Sequence, residues 1–444
     1  MQKAKVILIG MARPGFDTDL ALQIYDQAIS VLQSLSSKLM HPKKMATDPD
    51  EVEQIIQEFA AEKVDVLVVL FSTFVDGRFV EQITRVSNLP ILLWSVPEPS
   101  THGRLRLNSL TGLNSAAYIL TRLERRYEYV YGPANELTSR LIERWLKVFA
   151  VAQQLKSAKI GVIGDYPPGF FASAADALDL ERRIGPQLIK LDLEMLFNKA
   201  VSVPESSCLA LIEDYKEAVS GIDDLDAEQF HKSVRFTIAL QDQAKALKLD
   251  ALAVRCAPEF INAYGGAACA ALGELNDLGI PTSCEADILG AVSMLMQHEF
   301  TGKVVFLGDL VHANEERNTF TFWHCGSGAR SLASPKTGPV AGVQPNRNLA
   351  YAFNHRLKAG PVTIARLGQT KEGYRMLIAQ GEALDDIENY WGTSVEVRLS
   401  QPVMELLDVI IKSGFEFHYS IVWEDITKEL EALCSWLDIP ITVL

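Results

Sequence analysis

The segment Ile280-Pro281-Thr282-Ser283-Cys284-Glu285-Ala286-Asp287-Ile288-Leu289-Gly290-Ala291-Val292-Ser293-Met294-Leu295-Met296, followed by Lys303-Val304-Val305-Phe306-Leu307-Gly308-Asp309, decides the fold. Ile280–Cys284 reads as a short buried strand, Leu289–Phe300 as a helix, and Lys303–Leu307 as a second strand. A strand–helix–strand unit of this kind is right-handed and brings both strand ends to one edge of a parallel sheet. Neighbouring strands lie only ~4.8 Å apart. Glu285 and Asp309, 24 residues apart in sequence, are therefore expected together at the carboxyl edge, where open α/β sheets bind ligands. Two carboxylates so placed share a proton or share a cation. The plainer alternative is that one caps a helix and the other is a solvated loop acid.

The same alternation runs outward in both directions. Lys5–Ile9, Val64–Phe71 and Ile91–Trp94 read as buried strands. The amphipathic stretches Asp19–Leu39 and Asp50–Ala61 lie between them, and a long helix follows at Leu137–Leu155. The pattern restarts at Lys159–Gly164, which Pro167-Pro168-Gly169 ends, and continues through Gln187–Leu191, Ala227–Leu247 and Ala251–Val254. After about residue 310 the texture changes. Thr319–Trp323, Val362–Leu367, Val395–Leu399 and Ser420–Trp423 are strand-like runs, and only Asp425–Leu437 reads as helical. The expected fold class is α/β: two successive Rossmann-like parallel-sheet domains, then a β-rich, antiparallel barrel-like domain. The expected spans are 1–155, 156–300 and 301–444.

Composition sets the frame. The 444 residues exceed what one hydrophobic core usually organises, and 48% apolar with 22% charged residues is ordinary for a globular chain. With 42 basic and 56 acidic residues the net charge is −14, and no basic block interrupts it, which disfavours nucleic acid as a partner. The longest apolar runs fall far short of the ~20 residues of a membrane span. The N-terminus enters a strand at Val6 instead of a signal peptide, so the expectation is a cytoplasmic enzyme with its six cysteines reduced. No complete GxGxxG opens a helix, and neither GxxxxGK[ST] nor HExxH occurs.

Other chemistry-bearing residues are fewer. Arg255-Cys256-Ala257-Pro258-Glu259 ends a strand at the same expected sheet edge. A cysteine nucleophile there would need a positioned base that nothing specifies, so Arg255 and Glu259 are the candidates for lining a polar pocket. Of the eight histidines, His312, His324 and His418 fall nearest to strand ends or turns.

Thr282 through Met296, with Thr301-Gly302 and Phe306-Leu307-Gly308-Asp309, resembles the metal-site segment of L-fucose isomerase, in the superfamily shared with L-arabinose isomerase. Phe417-His418-Tyr419 through Asp438-Ile439-Pro440 is similar to that family's histidine-ligand segment. Gly360 through Leu367 is similar to a strand of its third domain. The resemblance spans most of the chain, although this chain is much shorter than a standard member. Several of the family's sugar-contacting aromatic positions have no clear counterpart in it.

The resemblance implies a metal-dependent aldose–ketose isomerase working through an ene-diolate. Glu285, Asp309 and His418 would be the metal ligands, with Mn²⁺ favoured and Mg²⁺ or Co²⁺ possible. Glu285 and Asp309 would also carry the proton between C2 and C1. It implies a homo-oligomer whose active sites lie at subunit interfaces. There Arg13 and Phe74, the latter in the loop Thr73–Asp76, would reach the sugar of a neighbouring subunit. His324 would be structural, since the third ligand maps to His418. The sugar would be L-fucose, D-arabinose or a 6-substituted hexose such as sulfoquinovose, whose sulfonate needs a cation from Arg13, Arg78, Arg255, Arg347 or Arg356. A non-catalytic sugar-binding protein or sensor is the alternative, and an epimerase or aldolase a third.

Overall fold

The computed structural model describes residues 3–385 and 390–444. The chain divides into two units, Met1–Gln153 and Gln154–Leu444. In the first, strands β1 (Lys5–Met11), β2 (Lys38–Met40), β3 (Val66–Phe71), β4 (Ile91–Ser95) and β5 (Glu128–Tyr131) form a parallel sheet in the order β2-β1-β3-β4-β5. Every residue of β3 and β4 is buried, which is why these strands read as unbroken apolar runs with no alternation. The crossover helices start at designed stops. Asp17 caps Thr18–Leu35 by accepting from the Leu20 N–H at 2.9 Å, and Asp48 with Glu51 forms a capping box on Pro49–Glu58.

The second unit opens with another parallel sheet. It comprises β6 (Lys159–Ile163), β7 (Gln187–Leu191), β8 (Ala251–Val254) and the two-residue β9 (Thr282–Ser283), ordered β7-β6-β8-β9. The remaining strands are β10 (Val305–Asn314), β11 (Thr319–His324), β12 (Ala341–Gln344), β13 (Leu349–Phe353), β14 (His355–Arg356), β15 (Gly360–Gln369), β16 (Tyr374–Leu384), β17 (Thr393–Leu399), β18 (His418–Val422) and β19 (Ile441–Val443). β12 and β13 form a separate hairpin. β17 pairs with both β11 and β16, so β17-β11-β10-β18-β15-β16 closes into an antiparallel barrel without free edges. Its interior is filled by Phe306, Phe320, Phe322, Ile364, Leu377, Val397 and Ile421. The class is therefore α/β with parallel sheets and a larger, predominantly antiparallel C-terminal sheet.

Two sequence expectations change here. The strand after helix Ile288–Thr301 does not extend the parallel series: β10 pairs antiparallel with β11 and β18, inside the barrel. The helix explains why. Ile288 through Gln297 are all buried, because the helix packs on the parallel sheet and also on β10, β15 and β18. A helix apolar on every side is a layer between two others, and this one hands the chain from sheet to barrel. Ser293 accepts from the Leu367 N–H at 2.8 Å and Gln297 donates to the Thr363 carbonyl at 3.0 Å, which fixes the helix against β15. The second change is a helix at Val403–Ser413, in a region expected to be strands. Val403, Leu406 and Ile410 recur at helical spacing and join the barrel core.

His355, at the barrel's β14, gives a pH prediction. It is buried, its Nε2 has no protein partner, and its Nδ1 lies 3.4 Å from the Val340 amide. Burial pushes its pKa down to about 4, against the opposing pull of its backbone contacts. The folded ring is thus neutral while the unfolded chain binds a proton below pH ~6.5. Its contribution to stability is complete above that pH and is lost as pH falls toward 4, by roughly 3 kcal/mol. Chemical denaturation at both pH values should show wild type losing about that much more than His355→Gln; equal losses would contradict this assignment. Among the described residues no helix is long and apolar enough to cross a membrane.

Candidate active site

The site lies where the carboxyl edge of the second parallel sheet meets one end of the barrel. Glu285 leaves β9 with φ 58° and Ala286 follows with φ 52°, both in the left-handed region that non-glycine residues rarely adopt. Such backbone is held by its surroundings. The Ala286 N–H donates to the Val254 carbonyl at 3.0 Å, and the Ser283 hydroxyl donates to the Asp287 carbonyl at 2.7 Å. This turn aims Glu285 at the barrel. There Asp309 on β10 sits directly opposite His418 on β18 and opposite Trp323 on β11. Three adjacent barrel strands thus deliver Asp309, His418 and His324 to one place.

The distances define a tight cluster. Nε2 of His418 lies 3.5 Å from Glu285 Oε2 and 3.6 Å from Asp309 Oδ1. Asp309, His324 and His418 each offer a ligand atom, and all three atoms lie within 4.8 Å of one another. Glu285 Oε2, His324 Nε2 and His418 Nε2 are buried and have no hydrogen-bond partner. Buried polar atoms are nearly always satisfied, so three orphans converging beside a second acid, Asp309, fit a bound cation. The donor set of carboxylate oxygens and imidazole nitrogens suits a hard-to-borderline divalent ion.

Electrostatics reinforce this. Burial raises the Glu285 pKa, with Asp309 adding to it, against the lowering pull of His418 and His324. Burial disfavours a charged His324, but Cys325, Asp309 and Glu285 outweigh it and raise the pKa of the ring. The cluster attracts positive charge.

Asp287 organises it from behind. This fully buried residue caps helix Ile288–Thr301 by accepting from the Gly290 N–H at 2.9 Å. It also accepts from the Arg366 guanidinium at 2.5 Å and from His418 Nδ1 at 2.8 Å. Burial alone would raise its pKa, but the Arg366 charge and the His418 contact win and hold the carboxyl well below the usual range. A permanent carboxylate at Nδ1 fixes the ring tautomer with its proton there, leaving the Nε2 lone pair facing Glu285 and Asp309. The helix cap that the sequence offered as an alternative for Glu285 or Asp309 thus belongs to Asp287.

A cavity of about 480 Å³ opens onto the cluster. Its walls include Glu285, Asp309 and His324, the aromatic rings of Phe170, Trp323 and Phe417, and Cys256, Gln344, Asn346 and Arg347. That size suits a monosaccharide, whose C–H faces pack on aromatic rings while its hydroxyls need polar partners. The structure therefore brings together Glu285, Asp309 and His418, and adds His324, which the sequence reading set aside. It does not bring Arg255 and Glu259 to the cavity wall. They form a bidentate pair, at 2.7 and 2.6 Å, and Arg255 also donates to the Asp165 and Ala257 carbonyls. A backbone-spanning clamp uses both side chains up. Arg13 and Phe74 lie in the first unit, where the Arg13 guanidinium sits 5.9 Å over the Phe74 ring.

Comparison with known proteins places this arrangement. Residues 7–157 match the fucose/sulfoquinovose isomerase N-terminal domain, and residues 324–444 match the L-fucose isomerase C-terminal domain. The sulfoquinovose isomerase of Priestia aryabhattai is 39% identical over 443 residues, 99% of each chain. That of Alkalicoccus urumqiensis is 38% identical over 440 residues, 98% of each chain. Among solved structures, a solute-binding protein from Burkholderia multivorans is 12% identical with a TM-score of 0.20, covering 68% of this chain and 95% of its own. One from Agrobacterium vitis bound to α-D-tagatopyranose has a TM-score of 0.18 at 12% identity, covering 68% of this chain and 90% of its own. The full-length relatives make this protein an enzyme, an aldose–ketose isomerase acting on a small sugar. The chain belongs to the fucose/sulfoquinovose isomerase family.

Proposed function

We propose that the protein interconverts sulfoquinovose, a hexose with a sulfonate at C6, and its ketose, using a divalent cation and an ene-diolate intermediate. The observation that carries this reading is the set of buried, unpartnered atoms of Glu285, His324 and His418 beside Asp309, in a sugar-sized cavity. Glu285, Asp309 and His418 would hold the cation, with His324 as a fourth donor, and Mn²⁺ fits this mixed oxygen and nitrogen set first. When bound, such an ion supplies Lewis acidity that makes the proton beside the sugar carbonyl easier to remove.

The side chains would do the rest. Glu285, its pKa raised by burial, is suited to taking the proton from C2 and returning it to C1. Asp309 would serve the complementary transfer, giving a proton to O1 and taking the one that leaves O2. Each carboxylate has two oxygens, so holding a cation and moving a proton are compatible. Phe170, Trp323 and Phe417 would exclude water and hold the carbon chain. Arg13 and Phe74, already packed together, would complete the site of a neighbouring subunit in a cytoplasmic homo-oligomer.

Proton NMR in D₂O tests this with sulfoquinovose, L-fucose and D-arabinose, before and after chelator treatment. The expected result is ketose formation from sulfoquinovose with deuterium incorporated from solvent, falling at least about 100-fold on metal removal and returning with Mn²⁺. Confirmed metal binding without turnover or exchange on any of the sugars would overturn the proposal.

A further inference from the structure

We infer that Arg347, with Gln344 beside it on the β12–β13 hairpin, is the anion-reading corner of this cavity and recognises the sulfonate of the sugar. The inference rests on the sulfosugar reading above and assigns its specificity to a residue. A protein of net charge −14, whose site already concentrates Glu285 and Asp309, repels an anionic substrate unless a fixed cation meets it. The question is which cation is free to do so.

The structure answers arginine by arginine. Arg78 is bidentate on Asp76, at 2.9 and 2.8 Å. Arg255 is bidentate on Glu259. Arg356 lies 3.4 Å from Asp385, and Arg366 is buried against Asp287. Arg13 lies in the other unit, over Phe74. Arg347 alone among the described lysines and arginines lines the cavity that holds Glu285, Asp309 and His324, and no described carboxylate is within ion-pair distance of it. It is exposed, so its charge costs nothing to maintain.

Its mounting is firm. The turn closes through the Arg347 and Asn348 amides donating to the Gln344 carbonyl at 3.2 and 2.9 Å, with Asn348 in the left-handed region at φ 53°. The hairpin's base is anchored where the Ala350 N–H donates to Gln229 Oε1 at 2.8 Å and the Tyr351 N–H donates to the Ser233 hydroxyl at 2.9 Å. Gln344 supplies the second observation. It lines the same cavity, and its Oε1 is buried without a partner. A half-turn of that amide presents an N–H₂ to an oxyanion. A guanidinium fork with an adjacent amide matches the three oxygens of a sulfonate.

Sulfonate and phosphate share this chemistry, so the test separates them. Steady-state kinetics of metal-loaded wild type, Arg347→Gln and Arg347→Lys would use sulfoquinovose, its uncharged 6-deoxy counterpart and glucose 6-phosphate. Titration calorimetry of sulfoquinovose would accompany them. The expected result is that Arg347→Gln raises KM and Kd for sulfoquinovose by about 30-fold or more. In the same variant kcat stays within about three-fold and kcat/KM for the 6-deoxy sugar is unchanged. Arg347→Lys falls between. An equal loss on charged and uncharged sugars, with or without a lowered melting temperature, would make Arg347 structural and overturn the inference. So would unchanged sulfoquinovose kinetics in Arg347→Gln, an outcome that leaves the isomerase proposal standing. A wild type that prefers glucose 6-phosphate assigns the corner to phosphate and overturns the sulfonate reading. A wild type that turns over only the uncharged sugar overturns both the sulfosugar proposal and this one.

Discussion

Glu285→Gln lowers kcat by about 1000-fold or more while leaving the fold as stable as wild type or more so. The substitution keeps the size of the side chain and removes its charge and its capacity to carry a proton. It also removes a cost. Glu285 Oε2 is buried without a partner, and burial raises the carboxyl's pKa, so the ionised form is paid for in the resting protein. An amide relieves that penalty, which is the stability–function conflict expected where a site is strained for chemistry. The φ of 58° at Glu285 has the same meaning. Two measurements check it: turnover of the preferred sugar, and the denaturation midpoint without added metal. Activity within ten-fold of wild type would remove Glu285 from the proton transfer. A midpoint far below wild type would show that the lost activity reflects misfolding.

Glu285 was legible because a carboxylate directly after a short buried strand, with another at the end of the next strand, is a pattern within one stretch of chain. His418 was legible as a ligand only through resemblance, since nothing local distinguishes it from His312 and His324. What escaped was contact between distant segments. Periodicity shows which face of an element is apolar but not which neighbour covers it, so Lys303–Leu307 read as one more parallel strand when it opens β10 of the barrel. His324 reaches the cluster only because β11 lies beside β10 in that barrel. Arg347 is one of five candidate arginines until β12 and β13 set it on the cavity wall. Arg366 did leave a signal: a lone arginine inside the apolar run Val362–Leu367 must be exposed or buried with a carboxylate, and it is the latter.

That pair carries the second large effect. Asp287 and Arg366 are each 1% exposed and joined at 2.5 Å, so removing one partner strands the other's charge in the interior. Asp287→Asn should therefore cost about 3–5 kcal/mol of unfolding free energy, among the largest single-residue losses in the second unit. Asp287→Asn combined with Arg366→Met should recover most of it, because neither charge then remains to be solvated and the methionine fills much of the space. The recovery is what makes the pair informative about the site. Asp287 does three things at once: it caps the helix, neutralises Arg366 and fixes the His418 tautomer. The double variant restores the second without restoring the third. Its fold should be near wild type while Mn²⁺ affinity, read by titration with no sugar present, stays about 10- to 100-fold weaker. If stability and metal affinity return together, the carboxylate behind His418 serves packing alone. If stability returns and affinity does not, Asp287 positions the ring, and the opposite pKa shifts of Asp287 and Glu285, two residues apart, divide one turn into a fixed charge that orients and a labile one that reacts.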